Sequence, residues 1–436
     1  MNSRGVNKTE IGIGLLGLGT VGVGVARVLL EKGDALARQV GCRLVLRKVL
    51  VRDIGKARQL AIAPGLLTTK PEEVLERPDV DIVGELMGGE EVALKCIKAA
   101  LSQGKHVVTA NKEVVAKHGP GLLALAQKNG VELRYEASVG GGIPLIAPFQ
   151  RDLIANEISA IHSILNGTTN YILTRMSDDG MDFSVALGQA QERGYAEADP
   201  TYDIEGIDAK FKLSILASLA FRSYVNPRDV FSEGISRLEA RDFRYAKELG
   251  YAIKLLAIAK KSGDSVEARV HPALIADDSL LAQVRGVFNA VQVEGDLVGR
   301  VILYGRGAGA RPTSSAVAAD IVAAAQNVLY HIKPVAALPL EQRLRMRSTS
   351  EVETRFYLRL TVADQPGVLA QIATVLGSNQ ISISQVIQKE TEESSQSAEI
   401  VIMTHMAKEE AMQRAMVGLN SLGMVRKVNN FIRVEM

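Results

Sequence analysis

Between Gly194 and Lys212 the chain reads GYAEADPTYDIEGIDAKFK, and with the residue two places upstream this stretch gathers Glu192, Glu197, Asp199, Asp203, Glu205 and Asp208. Two lysines stand at its end and only Arg193 at its start. Like charges this close raise one another's pKa, so a fold keeps them together on a well-solvated loop or around a cation. A helix opening at Asp208 would bury Phe211, Ile215, Leu216 and Leu219 as a stripe. Lys212 then sits one turn after Asp208 on that side, and Lys210 points roughly the other way. A lysine on an apolar face is costly unless paired, and a carboxylate at i−4 is the partner the geometry supplies. Such a pair suits proton transfer, because desolvation and the aspartate push the lysine's pKa in opposite directions. The same residues also fit a lysine that snorkels to water beside a solvated acidic loop.

The elements that must position these groups are bounded by the totals. A chain of 436 residues that is 47% hydrophobic has apolar mass for two or three domains with large cores. A net charge of +2 offers no electrostatic case for nucleic acid or a membrane surface, which favours small partners. Cys42 and Cys96 fall in separate apolar segments, as buried free thiols in a reducing compartment do. The start, MNSRGVNKTE, lacks the apolar core of a signal peptide, and no long apolar run follows, so a cytoplasmic location is expected. Neither an HExxH nor a CxxC is present, which argues against zinc or haem.

An apolar run, Ile11 to Leu16, leads directly into GLGTVG, Gly17 to Gly22, and then into a helical pattern from Val21 to about Leu36. Strand, glycine turn and helix in that order predict a dinucleotide site. Gly17 allows the turn, Gly19 the approach of a pyrophosphate, and Gly22 close packing of helix on strand. A second strand, Leu44 to Val51, ends at Arg52, which accommodates a 2′-phosphate and favours NADP; Asp53 keeps NAD open. Further strands are expected at Asp81 to Leu86, His106 to Thr109 and Val131 to Glu136, with helices near Val92 to Leu101 and Gly121 to Asn129. Their carboxyl ends carry Gly88 with Gly89, Asn111 with Lys112, and the EASVGGGIP segment, Glu136 to Pro144. That last segment can turn several carbonyls toward a hard monovalent cation, or simply lead the chain out of the nucleotide domain. Lys112 could hold a substrate carboxylate, polarise a carbonyl, or sit solvated on a loop.

From about Pro148 to Arg306 strands and helices alternate without a new glycine fingerprint. In SILNGTTNYIL, Asn166 and Gly167 end a strand, and Thr168 to Asn170 can cap the next helix or grip an amino acid. In LYGRGAGARPTSSAVAADIV a glycine turn again precedes a helix, with Pro312 near its start, expected to return onto the nucleotide domain.

Taken together, GLGTVG, TANKE (Thr109 to Glu113), EASVGGGIP, LNGTTNYI, GYAEADPTYDIEGIDAKFK and GRGAGARPTSSAV closely resemble the homoserine dehydrogenases that stand alone rather than fused to aspartokinase. The resemblance covers roughly residues 10 to 330. It implies NAD(P)-dependent interconversion of aspartate 4-semialdehyde and homoserine, on the route to threonine and methionine. It makes Lys212 the general acid and base, Asp208 the residue that holds it and the substrate, and Lys112 a neighbour of nicotinamide and substrate. Glu197 takes the substrate ammonium, with Asp203 beside the substrate, and a sodium ion sits on Glu136, Val139, Gly141 and Ile143, mostly through main-chain oxygens. The cofactor residues become Gly17, Leu18, Gly19, Thr20, Val21, Gly22, Arg52, Gly88, Lys112 and Gly307, with NADP(H) favoured and NAD(H) admitted. Rival readings are a dehydrogenase of another amino-acid-derived aldehyde and a non-catalytic sensor of nucleotide and amino acid.

After Ile332 a proline- and charge-rich stretch reads as a linker. Strands at Phe356 to Val362, Ile381 to Gln388, Ala398 to Met403 and Val425 to Val434, with helices at Gly367 to Leu376 and Lys408 to Leu419, make a βαββαβ order. VADQPGVLAQIA, Val362 to Ala373, resembles an ACT domain, and the helix from Gly367 can receive a carboxylate on its free N–H groups. That resemblance implies threonine as a feedback inhibitor and a homodimer or homotetramer; the alternative is an assembly module that binds nothing. KETEESSQS, Lys389 to Ser397, reads as a mobile hairpin tip. The expected fold is α/β, a Rossmann-type parallel sheet with an inserted α+β substrate domain and a C-terminal ferredoxin-like ACT domain. Its boundaries fall at 1–147, 148–306, 307–335 for the return segment, 336–354 for the linker and 355–436.

Overall fold

A computed structural model describes residues 8–58, 60–333, 344–390 and 396–435. The amino-terminal stretch before residue 8, the linker's 334–343 and the hairpin tip's 391–395 lie outside them. The chain divides into two units. The first comprises residues 1–158, 211–227 and 294–343, and the second comprises 159–210, 228–293 and 344–436.

In the first unit the strands β1 (Glu10–Leu16), β2 (Arg43–Leu50), β3 (Leu67–Thr68), β4 (Ile82–Glu85), β5 (His106–Thr109) and β6 (Leu133–Arg134) form an all-parallel sheet ordered β3-β2-β1-β4-β5-β6. That is the order of a dinucleotide-binding sheet. The central strands β1, β4 and β5 are buried along almost their whole length and read as runs rich in Ile, Leu and Val, whereas β2, towards the edge, leaves Arg43 exposed and Arg47 and Lys48 half-buried. The helix after the glycine turn is two helices, Thr20–Glu31 and Gly33–Val40, interrupted at Lys32. The helix expected from Gly121 begins at Lys112, capped by the Asn111 side chain, and carries Pro120 within it. A proline argues for a boundary at its own position, yet this helix continues through it to Lys128. The expected strand from Val131 to Glu136 shortens to Leu133–Arg134, and Glu136–Ser138 turns as 3-10 helix. The helix Ala310–Leu329 packs on Thr20–Glu31, where Gly24 makes room for Ser314, whose hydroxyl donates to the Val21 carbonyl at 3.2 Å.

The second unit is built on one long sheet. Its strands run in the order Phe288–Gly295, Ile158–Ile164, Tyr251–Ser262, Ser265–Ala276, Val425–Glu435, Glu353–Ala363, Ser397–Thr404 and Ile383–Glu390. The last four, with helices Val368–Ser378 and Glu409–Ser421, are the βαββαβ module. The module is not a separate bead on a linker, because Val425–Glu435 pairs in parallel with Ser265–Ala276 and continues the substrate-domain sheet. Residues expected as plain linker also join it, since Arg345–Met346 pairs with Ser265–Val266.

Candidate functional site

The glycine turn has the build that phosphate binding requires. Gly17 has φ +104°, and a Cβ there would meet the Leu86 carbonyl at 2.8 Å. A Cβ on Gly22 would come within 2.3 Å of the Gly17 carbonyl, whereas one on Gly19 would meet nothing within 4 Å. Gly19 therefore faces open space at the amino end of Thr20–Glu31, a helix with no side-chain cap on its free N–H groups. Arg52, Asp53 and Lys56 are exposed just past β2, and the Asp53 carboxylate accepts the Gly55 amide at 2.7 Å.

Motif reading misses Glu85, fully buried at the carboxyl end of β4. Its carboxyl accepts the Thr109 hydroxyl at 2.6 Å and the Met87 amide at 2.8 Å. Thr109 accepts the Asn111 amide, and the Asn111 side chain donates to the Gly89 carbonyl at 2.8 Å. This network shapes the turn that carries Gly88 and the start of the helix that carries half-buried Lys112. An acid closing the apolar run DIVGE is the signal the sequence offers for it. A cavity of about 1440 Å³ in this unit opens beside Lys105 and His106, at the amino edge of the sheet and away from the glycine turn.

The Glu136 carboxylate accepts the amides of Leu145, Ile146 and Ala147 at 2.6–2.9 Å, and its own N–H donates to Asp320 at 2.8 Å. Burial pushes the Asp320 carboxyl up to about 7, against the lowering effect of that amide. Between these anchors Gly140 and Gly141 have positive φ, and the loop lies so close to 306–312 that a Cβ on Gly141 would sit 2.4 Å from the Gly307 carbonyl. Among the described residues no three His, Cys, Asp or Glu side chains gather as metal ligands. With the Glu136 side chain engaged by amides, a cation here would rest on neutral carbonyls, a donor set that fits a monovalent hard ion.

In the second unit the six acids separate. Glu192, Glu197 and Asp199 are exposed, Asp203 and Glu205 are half-buried, and Asp208 is buried. Asp199 accepts the Thr201 amide and hydroxyl. Asn166, expected only to end a strand, organises the rest. Its Oδ1 accepts the Thr169 amide as the N-cap of Gly167–Asp179, while its Nδ2 donates to Asp203 at 2.7 Å and to Asp208 at 2.9 Å. Thus the cap belongs to Asn166 rather than to Thr168 to Asn170.

The helix Ile207–Phe221 carries both Asp208, 4% exposed, and Lys212, 9% exposed, one turn apart. It is not amphipathic, because Leu213, Ser214 and Ala217 are buried along with the expected Phe211, Ile215, Leu216 and Leu219. Within the first unit the helix meets Lys112–Lys128 at Phe211, whose ring lies under the Lys117 ammonium, and just past its end Tyr224 donates to the Ala116 carbonyl.

Three family models match the chain. One described as homoserine dehydrogenase, NAD binding domain, covers residues 17–136, one described as homoserine dehydrogenase covers 144–322, and an ACT domain covers 356–416. A homoserine dehydrogenase of Neisseria gonorrhoeae is 43% identical over 98% of both chains, and one of Bacillus subtilis is 40% identical over the same shares. A solved homoserine dehydrogenase from Thiobacillus denitrificans superposes with a TM-score of 0.91 at 43% identity over 98% of each chain. A hyperthermophilic archaeal homoserine dehydrogenase in complex with NADPH superposes at 0.61 with 29% identity, over 72% of this chain and 97% of that one.

Proposed function

The chain belongs to the homoserine dehydrogenase family, and from that premise we propose that it interconverts L-homoserine and L-aspartate 4-semialdehyde with Lys212 as general acid and base. The observation that carries this reading is Lys212 buried one helical turn after buried Asp208, whose carboxylate is held by Asn166. In reduction the aldehyde carbon gains a hydride, negative charge develops on its oxygen, and the Lys212 ammonium donates the proton that completes the alcohol. In oxidation the neutral amine takes the hydroxyl proton. The bound nicotinamide cofactor supplies or accepts the hydride. In this reading Asp208 holds Lys212 and the substrate, Glu197 takes the substrate ammonium, Asp203 lies beside the substrate, and Lys112 neighbours the nicotinamide and substrate.

Cofactor binding is assigned to Gly17, Leu18, Gly19, Thr20, Val21 and Gly22, with Gly88, Lys112 and Gly307. Exposed Arg52 at the end of β2 favours NADP(H) over NAD(H). Sodium is assigned to main-chain oxygens of Glu136, Val139, Gly141 and Ile143, supported by the engaged Glu136 carboxylate. The ACT module is read as a threonine sensor in a cytoplasmic homodimer or homotetramer, with domain boundaries at 147, 306, 335 and 354. Among the described residues no helix is long and apolar enough to cross a membrane.

Lys212→Ala should lower kcat about a thousandfold, within the usual worth of a proton-transfer group, while NADPH binding measured by calorimetry stays within twofold. A variant that retains most of its turnover would remove Lys212 from the mechanism. Homoserine oxidation assayed with NAD and with NADP, each with and without threonine, tests cofactor and effector together.

A further inference from the structure

The acid turn 203–206 is held from below by a short strap, residues 231–236. The Ile235 amide donates to the Ile204 carbonyl at 2.9 Å, the Ser232 hydroxyl donates to the Glu205 carbonyl at 2.9 Å, and the Ser236 hydroxyl donates to the Glu205 carboxylate at 3.0 Å. Gly234 lies so close that a Cβ would stand 2.5 Å from both the Ile204 carbonyl and the Glu205 carboxylate. The strap is anchored to the sheet by the Glu233 amide on the Val270 carbonyl and by parallel pairing of Phe231–Ser232 with Arg269–Val270. The strap thus bonds Ile204 and Glu205, next in the chain to Asp203, whose carboxylate shares the Asn166 amide with Asp208.

The strap is also gripped from the ACT module. Arg433, on that module's last strand, makes two bonds to Glu409 at the start of the module's second helix, at 2.9 and 2.7 Å. Its third arm donates to Glu233 at 2.7 Å, and its guanidinium lies over the rings of Phe231 and Phe431. Arg433 and Glu409 are buried, whereas the Glu233 side chain is about one-third exposed and borders a cavity of about 570 Å³. Of the two ion pairs, the one to Glu233 has room to open.

We propose that Arg433 is a positioning residue for the substrate acids, setting the 203–206 turn through Glu233 and the strap, so that the state of the ACT module is read as homoserine affinity. The proposal rests on the assignment of Asp203 and Asp208 to substrate binding. It predicts that the link acts on KM for homoserine and leaves the cofactor alone.

Glu233→Gln in the full chain opens the strap side and leaves the Arg433–Glu409 pair intact, which Arg433 variants would not. We expect homoserine KM to rise about tenfold, equivalent to about 1.4 kcal/mol, with kcat and the NADPH KM within twofold and amide exchange faster at 203–206. Gly234→Ala, which pushes on the same turn directly, should reproduce the KM effect. Wild-type exchange and KM in Glu233→Gln, beside a raised KM in Gly234→Ala, would overturn the role of Arg433. Asp203→Asn supplies the separate check. An unchanged homoserine KM in that variant would mean the acid assignment itself has failed, and the proposal with it.

Discussion

Asn166 shows how much one amide can settle. A carboxylate in its place would keep the helix cap but bring a third negative charge between Asp203 and Asp208, and an aliphatic residue would lose both roles. Glu85 has a comparable position in the first unit, with a measurable consequence. Burial pushes its carboxyl up to about 7 from the usual 4.5, opposed by the hydrogen bonds from Thr109 and Met87. The folded protein therefore keeps that proton to higher pH than the unfolded chain does. Between the two values the unfolded state binds fewer protons, so Glu85 makes wild-type stability fall as pH rises through this window, and the loss is complete above about 7. Glu85→Gln does not ionise, so its stability relative to wild type should climb by up to about 3 kcal/mol from pH 4.5 to 7.5. Urea unfolding at the two pH values checks this, and a constant difference would show that Glu85 holds no extra proton in the fold.

At the level of elements, the glycine turn separates packing from binding. Gly22 lies against backbone, so Gly22→Ala should cost about 1–3 kcal/mol by overpacking. Gly19 has φ −82° and open space around it, so alanine fits the fold there and should stabilise it by about 0.4–1 kcal/mol through the unfolded chain. The same methyl stands where a pyrophosphate must approach, so Gly19→Ala should weaken NADPH binding at least tenfold, read by calorimetry beside a thermal melt. Wild-type affinity would move the phosphate elsewhere. The packing roles of Gly17 and Gly22 are legible in the amino-acid sequence, because each answers a local steric demand, while the role expected of Gly19 rests on the ligand. The helix Ile207–Phe221 is legible there only in part. Its Asp208 to Lys212 spacing follows from helical periodicity, but burial on all sides depends on neighbours distant in sequence, which a single apolar stripe does not reveal.

On the scale of the whole chain, the second unit ties its ACT module into the substrate domain with buried charge. Arg359, fully buried, bonds Asp242 at 2.7 Å and both Glu399 and Glu239 at 2.9 Å, and Tyr357 and Tyr245 complete the cluster. Arg359→Met would leave Asp242 buried beside a lost partner, at a cost of about 3–5 kcal/mol. We expect the second unit's denaturant midpoint to fall accordingly, with no change in the glycine turn's affinity for NADPH. A midpoint within experimental error of wild type would mean the cluster contributes little. Because one sheet runs through both, the module and the substrate domain should lose structure in one step.

The alternation of strands and helices expected from Pro148 to Arg306 is instead, apart from the short Phe231–Ser232, one strand, a run of helices and then a run of strands. The amino-acid sequence alone determined the strand, glycine turn and helix that open the nucleotide fold, the acidic segment with its lysine, and the βαββαβ module. All of these rest on local periodicity, steric demands at single glycines, and motifs short enough to be contiguous. Only the tertiary structure decided that six neighbouring acids part company, that Asn166 joins two of them, that the Glu136 side chain is spent on amides, and that Arg433 reaches from one module to the strap beneath the other. Those outcomes are pairings between residues 9 to 200 positions apart, with partners selected by packing and by the cost of leaving a buried charge unmet.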